Sequence, residues 1–98
     1  MTSENRDFLY RLQAVIQSRL AAAPEGSYTA QLAAGGTKRI AQKVGEEATE
    51  LALAAAVGDA AETVDEAADL LYHVLVLLNH KGISLDDVIA VLQSRHAP

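Results

Sequence analysis

The residues of this chain best suited to chemistry are carboxylates at helical spacing. Glu47 and Glu50 are three positions apart, and so are Glu66 and Asp69. Residues three apart lie on one face of an α-helix, so two helices would each present a carboxylate pair. No lysine or arginine occurs within residues 44–80, so the repulsion between these acids is uncompensated. A divalent cation would relieve it, and an all-oxygen ligand set suits Mg²⁺, Mn²⁺ or Ca²⁺.

The spacing on either side of a short turn at Gly58 would bring the two pairs together. Glu50 lies eight residues before Gly58 and Glu66 lies eight residues after it, which places each about 12 Å from the turn. Glu47 and Asp69 lie eleven residues before and after the same glycine. Four carboxylates can therefore meet at one level of a helical hairpin. The simpler interpretation is that both pairs belong to solvated helix faces.

Three cations precede the acids and are candidates for phosphate binding. Lys38, Arg39 and Lys43 lie near the N-terminal end of the third predicted helix, where the helix dipole also favours anions. Lys43 is four residues before Glu47, so an ion pair within the helix is the alternative. Arg39 could equally bridge two subunits.

Hydroxyl groups and one histidine complete the candidate site. Ser27, Tyr28 and Thr29 follow a glycine-containing turn. Helix capping accounts for one of these hydroxyls and leaves two for ligand binding or structure. His73 is four residues after Asp69, which predicts a hydrogen bond to that carboxylate. A role for His73 as a base, or in orienting a metal ligand, is the alternative.

Composition limits the class of protein. Ninety-eight residues predict one domain over residues 1–98, and half of the residues are hydrophobic. The absence of cysteine excludes disulfides and Cys-based zinc sites and fits a cytoplasmic protein. The net charge of −5 argues against general nucleic-acid binding. We see neither a signal peptide nor an apolar run long enough to span a membrane.

Hydrophobic periodicity predicts an all-α fold of four to five helices. Expected N-caps are Ser27 or Thr29, then Thr37, Asp59 and Ser84, the last in a capping box with Asp87. Gly82 is a plausible C-cap. Four of the predicted helices cover about residues 4–22, 37–57, 60–81 and 85–95. A short helix between the first two runs from its cap at Ser27 or Thr29 to about residue 34.

Two apolar segments bear on assembly. Residues 70–78 are apolar nearly all round the helix, which predicts burial on most sides. In the last helix Val88, Ile89, Val91 and Leu92 are expected to face inward. A 98-residue monomer has little surface with which to cover residues 70–78. We therefore expect a homodimer whose helices complete a bundle.

Several other kinds of metal and nucleotide site can be excluded because their sequence motifs are absent. No glutamate is followed three residues later by histidine, as a di-iron helical bundle requires. No EF-hand loop, phosphate-binding P-loop or Gly-x-Gly-x-x-Gly sequence is present.

Four segments of the sequence resemble the phosphoribosyl-ATP pyrophosphohydrolase family. They begin at Pro24-Glu-Gly-Ser-Tyr-Thr, at Gln42-Lys-Val-Gly-Glu-Glu-Ala-Thr-Glu, at Glu66-Ala-Ala-Asp-Leu-Leu-Tyr-His and at Gly82-Ile-Ser-Leu-Asp-Asp. The Glu-x-x-Glu and Glu-x-x-Asp pairs alone resemble the wider MazG-like all-α nucleoside-triphosphate pyrophosphohydrolases. The Ser-Tyr-Thr and Lys-Val-Gly-Glu-Glu sequences narrow the resemblance to the histidine-pathway family.

The resemblance implies hydrolysis of 1-(5-phospho-β-D-ribosyl)-ATP to the AMP compound and diphosphate, the second step of histidine biosynthesis. It implies that Glu47, Glu50, Glu66 and Asp69 bind Mg²⁺, with Mn²⁺ possible and Glu46 an additional candidate. Glu46 or Glu47 would be the general base. The cyclohydrolase domain fused to some members is not found here, so that step is expected on another chain.

The hypothesised substrate-binding residues are then Lys38, Arg39 and Lys43 together with Ser27, Tyr28 and Thr29. Two alternative functions stay open at this point. One is a house-cleaning pyrophosphohydrolase acting on ordinary or damaged nucleoside triphosphates. The other is a non-catalytic helical dimerisation module whose acids are merely solvated.

Overall fold

The computed structural model describes residues 3–98, with the side chains of residue 5 and residues 7–98. This part of the chain forms five α-helices and contains no β-strand, which confirms the all-α prediction. The helices are α1 (Ser3–Ala22), α2 (Tyr28–Ala34), α3 (Gly36–Val57), α4 (Ala60–His80) and α5 (Leu85–His96). No helix in the described residues is long and apolar enough to cross a membrane.

Side-chain caps begin three of the helices as predicted. The Ser27 hydroxyl accepts from the backbone N–H of Ala30, and the Asp59 carboxylate accepts from that of Glu62. Ser84 forms the full capping box with Asp87 at the start of α5. Each such cap satisfies a backbone donor that the first helical turn leaves without a partner.

The prediction that Thr37 caps α3 is wrong. The helix begins one residue earlier, at Gly36, and its N-cap is Gly35, which is also the C-cap of α2. The two helices are therefore joined without a loop. Gly36 has φ +84°, a left-handed conformation that costs glycine little, so the chain changes direction there without a capping side chain.

Helices α3 and α4 form an antiparallel hairpin about the turn at Gly58, and this pair packs more extensively than any other pair of helices in the described residues. Helices α1 and α2 pack against the hairpin and against one another. The core is small and draws on the first four helices, with Ile16, Leu32, Ile40, Leu75 and Val76 as its buried members.

The amide of Gln13 joins α1 to the start of α5. Its oxygen accepts from the backbone N–H of Leu85 at 2.7 Å and from Asn79 Nδ2 at 3.3 Å. The Tyr10 hydroxyl donates to Asp86 Oδ1 at 2.8 Å on the same side of the molecule. Polar contacts thus hold the last helix where apolar burial is slight.

Apolar burial is less complete than the sequence predicted. In α5, Val88 and Ile89 are half-buried, but Val91 and Leu92 are exposed, so their expected inward orientation is wrong in the single chain. Within residues 70–78, Leu75 and Val76 are buried, whereas Leu71 is 52% exposed. A single copy therefore covers this segment only in part, as expected of a chain of this length.

Candidate metal centre

Three of the predicted carboxylates meet between α3 and α4. One oxygen each from Glu47, Glu66 and Asp69 lies within 4.8 Å of the others. The hairpin brings them together because the side chains lie at similar distances from the Gly58 turn, one on α3 and two on α4. We call these three residues the carboxylate cluster.

Two oxygens of the cluster are buried without a partner. Glu47 is only 6% exposed, and neither its Oε2 nor Glu66 Oε2 has a hydrogen-bond partner. A buried carboxylate oxygen without a partner is costly unless something positive lies against it. A hard divalent cation coordinated by these oxygens would remove that cost. The donor set of the cluster therefore fits Mg²⁺ or Mn²⁺.

Glu50 lies beside the cluster rather than within its closest group. It is exposed, it lies near enough to Glu66 to share a hydrogen bond, and the two line a groove of about 310 Å³. The groove runs past Leu53 and Glu62 towards Gly58. The structure thus places the fourth predicted carboxylate at one end of the cluster, where it faces solvent.

The pKa of Glu66 is raised above its ordinary value of 4.5. Burial of the carboxyl is the main cause, followed by its hydrogen bond with Glu50. The nearby charges of Glu50, Asp69 and Glu47 act in the same direction. Without a cation, Glu66 therefore holds a proton more readily than an isolated glutamate does.

Lys43 is the cation nearest the cluster. Its Nζ lies 3.4 Å from Glu47 Oε1 and 3.8 Å from Glu46 Oε2. The hydrogen bond to Glu47 raises the pKa of Lys43, and partial burial opposes that shift. Glu46 itself is exposed and accepts from Gln42 Nε2 at 3.1 Å, so its carboxylate lies outside the cluster.

The other two predicted cations, Lys38 and Arg39, are exposed. Neither makes an ion pair with any residue that the structure describes. Arg39 lines a cleft of about 390 Å³ together with Tyr28 and Gln31. The structure does not bring Lys38 to this cleft.

Two of the three predicted hydroxyls are buried in structural contacts. Ser27 caps α2, and the Thr29 hydroxyl forms a short hydrogen bond with the Tyr72 hydroxyl. Tyr28 is half exposed, and its hydroxyl lies 2.8 Å from His73 Nε2. Tyr28 alone of the three therefore presents a surface to a ligand.

The hydrogen-bond partner of His73 differs from the one predicted. Its Nδ1 lies 2.7 Å from the backbone carbonyl of Asp69, not from the carboxylate. Because a carbonyl can only accept, Nδ1 carries the proton, and in the neutral ring Nε2 accepts from the Tyr28 hydroxyl. The ring packs edge-on against both Tyr28 and Tyr72. His73 therefore ties the Asp69 turn of α4 to the beginning of α2.

Sequence reasoning did not single out Tyr72 or Gln31. Tyr72 lies within the apolar stretch of α4, where a tyrosine gives no sign of a hydroxyl partner 43 residues away. Gln31 lies three residues after Tyr28 on a helix, so the helical spacing was the available signal for a shared surface.

Comparison with known proteins indicates the family of this chain. The family model described as phosphoribosyl-ATP pyrophosphohydrolase matches residues 9–96. The histidine biosynthesis bifunctional proteins HisIE of Photobacterium profundum, Pasteurella multocida and Escherichia coli are 60%, 62% and 57% identical over 89 residues. Each alignment covers 91% of this chain and 43–44% of the relative. The chain thus spans less than half the length of these relatives, and it belongs to the phosphoribosyl-ATP pyrophosphohydrolase family.

Proposed function

We propose that this chain hydrolyses the α–β phosphoanhydride of 1-(5-phospho-β-D-ribosyl)-ATP. The products are 1-(5-phospho-β-D-ribosyl)-AMP and diphosphate, as in the second step of histidine biosynthesis. Family membership supports the proposal. The structural observation that carries it is the pair of buried, unpartnered oxygens on Glu47 and Glu66. The other oxygen of Glu47 lies 3.4 Å from the amine of Lys43.

The metal ligands in this proposal are Glu47, Glu66 and Asp69, with Glu50 adjacent to Glu66. A bound Mg²⁺ or Mn²⁺ would supply charge neutralisation on the phosphates and increase the acidity of a coordinated water. The four side chains project from two helices packed along their length, so their positions are set before substrate binds. This rigidity favours the in-line geometry that phosphoryl transfer needs.

The remaining steps use the chain's own groups. The attacking water gives its proton to a carboxylate, for which Glu46 and Glu47 are the candidates. Glu47 lies within the cluster, and Lys43 bridges it to Glu46. The Lys43 amine also lies where it can bind a phosphate oxygen as negative charge moves to the leaving diphosphate.

Measurement of diphosphate release tests the proposal. Release would be followed from phosphoribosyl-ATP and from ATP, each with Mg²⁺ and with EDTA. We expect rapid Mg²⁺-dependent release from phosphoribosyl-ATP and little from ATP. Comparable release from several ordinary triphosphates would instead support a house-cleaning enzyme. No release from any triphosphate by folded protein would overturn the proposal and favour a non-catalytic helical module.

We further infer that the chain works as a homodimer in the cytoplasm. The basis for the dimer is a set of exposed apolar side chains on the α3–α4 hairpin, namely Leu53, Val57, Val64 and Leu71. A second copy packed against such side chains would bury them and complete a bundle. The cytoplasmic location is inferred from the absence of cysteine.

A further inference from the structure

A cleft of about 390 Å³ between α2 and the beginning of α3 has the composition of an anion subsite. It is lined by Tyr28, Gln31, Leu32, Gly35 and Arg39. These residues offer a guanidinium, a primary amide and a half-exposed aromatic ring over a floor formed by the buried Leu32. The cleft is separate from the groove that Glu50 and Glu66 line.

Arg39 and Lys43 differ in whether a carboxylate is already paired with the side chain. The Lys43 amine is paired with Glu47 and Glu46, whereas the Arg39 guanidinium makes no ion pair among the described residues. A guanidinium presents a planar fork of donors that matches two oxygens of a phosphate. The cleft therefore contains a cation available to an anion other than the cluster's own carboxylates.

The cleft lies along the same side of α3 as the cluster. Arg39, Lys43 and Glu47 follow one another at intervals of four, so Arg39 is about 12 Å along the helix from Glu47. Tyr28 connects the two regions, because its ring lines the cleft while its hydroxyl bonds to His73. His73 in turn bonds to the carbonyl of Asp69. One elongated ligand can therefore contact the cluster at one end and Arg39 at the other.

We propose that this cleft binds the phosphomonoester of the phosphoribosyl group, and that Arg39 thereby distinguishes phosphoribosyl-ATP from ATP. The inference rests on the proposed function. The two nucleotides share the triphosphate and differ in a phosphoribosyl group attached to the purine, at the far end of the molecule from the reacting phosphates. The triphosphate would meet Lys43 and the carboxylate cluster, and the second phosphate would meet Arg39.

Gly35 provides an independent means of moving Arg39. A Cβ at position 35 would lie 3.0 Å from both Cβ and Cγ of Arg39. The backbone of Gly35, at φ −77°, is one that alanine adopts readily, so the variant should fold. Gly35→Ala would therefore displace the stem of Arg39 while leaving its charge in place.

Kinetics of the full chain with phosphoribosyl-ATP and Mg²⁺ provide the first test. We expect Arg39→Ala to lower kcat/KM roughly 10- to 100-fold, mainly through KM, as for loss of a charge-assisted hydrogen bond. Arg39→Lys should recover part of the loss and Gly35→Ala should reproduce part of it. The matched control is Arg19→Ala, which removes the same side chain from the exposed end of α1. A loss in Arg39→Ala no larger than in the control would overturn the proposal.

Binding of phosphoribosyl-AMP and of AMP in EDTA separates this inference from the proposed activity. Isothermal titration would compare phosphoribosyl-AMP with AMP for the wild-type and Arg39→Ala chains. We expect the wild type to prefer phosphoribosyl-AMP and the variant to lose most of that preference. A wild type that prefers neither, or a variant that keeps the preference, contradicts the subsite. Failure of diphosphate release with this preference intact would contradict only the proposed hydrolysis.

Discussion

At the scale of single residues, Glu47 and its neighbour Glu46 offer a direct test of the cluster. Glu47 is buried beside Glu66 and Asp69, whereas Glu46 is exposed and bonded to Gln42. Because losing a residue that merely orients a metal ligand costs 10- to 100-fold, we expect Glu47→Gln to lower kcat/KM by about 100-fold or more. Glu46→Gln should have a clearly smaller effect.

Steady-state diphosphate release with Mg²⁺ would measure both glutamine variants. Circular dichroism should show unchanged helix content in each, because glutamine preserves the shape of the side chain. Equal losses in the two variants would show that Glu46 is as important to turnover as the buried glutamate. Wild-type rates in Glu47→Gln would remove the cluster from the mechanism.

The raised pKa of Glu66 predicts how the metal-free protein responds to pH. The folded state holds the Glu66 proton more tightly than the unfolded state, in which the pKa is near 4.5. Between those two pKa values the folded state binds more protons, so stability falls as pH rises through this window. In EDTA, the Tm should therefore increase as pH falls towards 4.5.

Two comparisons test that assignment by differential scanning calorimetry. Glu66→Gln cannot titrate at this position, so its Tm should vary less with pH than that of the wild type. Mg²⁺ should raise the wild-type Tm more at pH 8 than at pH 5, because protons compete with the cation for the cluster. An equal pH dependence in Glu66→Gln and wild type would assign the effect to another group.

The sequence could predict only those features of the candidate site that follow from helical periodicity. Spacing on either side of Gly58 predicted that carboxylates of α3 and α4 meet, and Glu47, Glu66 and Asp69 do meet. Spacing could not show that Glu50 faces solvent, because a shift of a fraction of a turn decides that. Nor could an interval of four residues show whether His73 binds a carboxylate or a backbone carbonyl.

At the scale of helices, the turn between α3 and α4 sets the level at which the carboxylates meet. A Cβ at Gly58 would lie 2.8 Å from the carbonyl oxygen of Ala54 and 2.6 Å from Glu62 Oε2. The first of these atoms is backbone and cannot move away cheaply. We therefore expect Gly58→Ala to lower the free energy of unfolding by about 1–3 kcal/mol.

Gly45 supplies a control of opposite sign. It lies in the middle of α3, and a Cβ there would meet no atom within 4 Å. Alanine in a helix interior is favoured over glycine by about 0.5–1 kcal/mol, so Gly45→Ala should stabilise the protein. Urea denaturation of both variants provides the measurement. Destabilisation by Gly45→Ala, or none by Gly58→Ala, would contradict this account of the hairpin.

The helix boundaries show what local sequence signals can and cannot fix. Caps at Asp59 and Ser84 are chemical and local, so the sequence predicted them correctly. The first residue of α3 depends instead on how α2 and α3 pack on either side of Gly35. The left-handed backbone of Gly36 allows the chain to change direction there without a capping side chain. Threonine is a residue type that caps helices well, but α3 begins at Gly36, one residue before Thr37.

At the scale of the whole molecule, the balance between core and surface favours association. The fully buried large side chains are few, with Ile16, Ile40 and Val76 below 2% exposure in the described part of the chain. Meanwhile α5 presents Val91 and Leu92 to solvent. A chain of this length buries a smaller fraction of its surface than a larger domain does, and association compensates. Periodicity predicted a partner without locating its surface.

The exposed apolar side chains of the α3–α4 hairpin lead to the last prediction, which concerns the proposed homodimer. Val64 and Leu71 lie seven residues apart on one side of α4, and they are 66% and 52% exposed. In a two-fold dimer each substitution occurs twice, so Val64→Asp with Leu71→Asp should weaken the dimer Kd by at least about 100-fold. Analytical ultracentrifugation would measure the shift. Val91→Asp is the matched control on α5, and dissociation by that variant alone would place the interface on α5 instead.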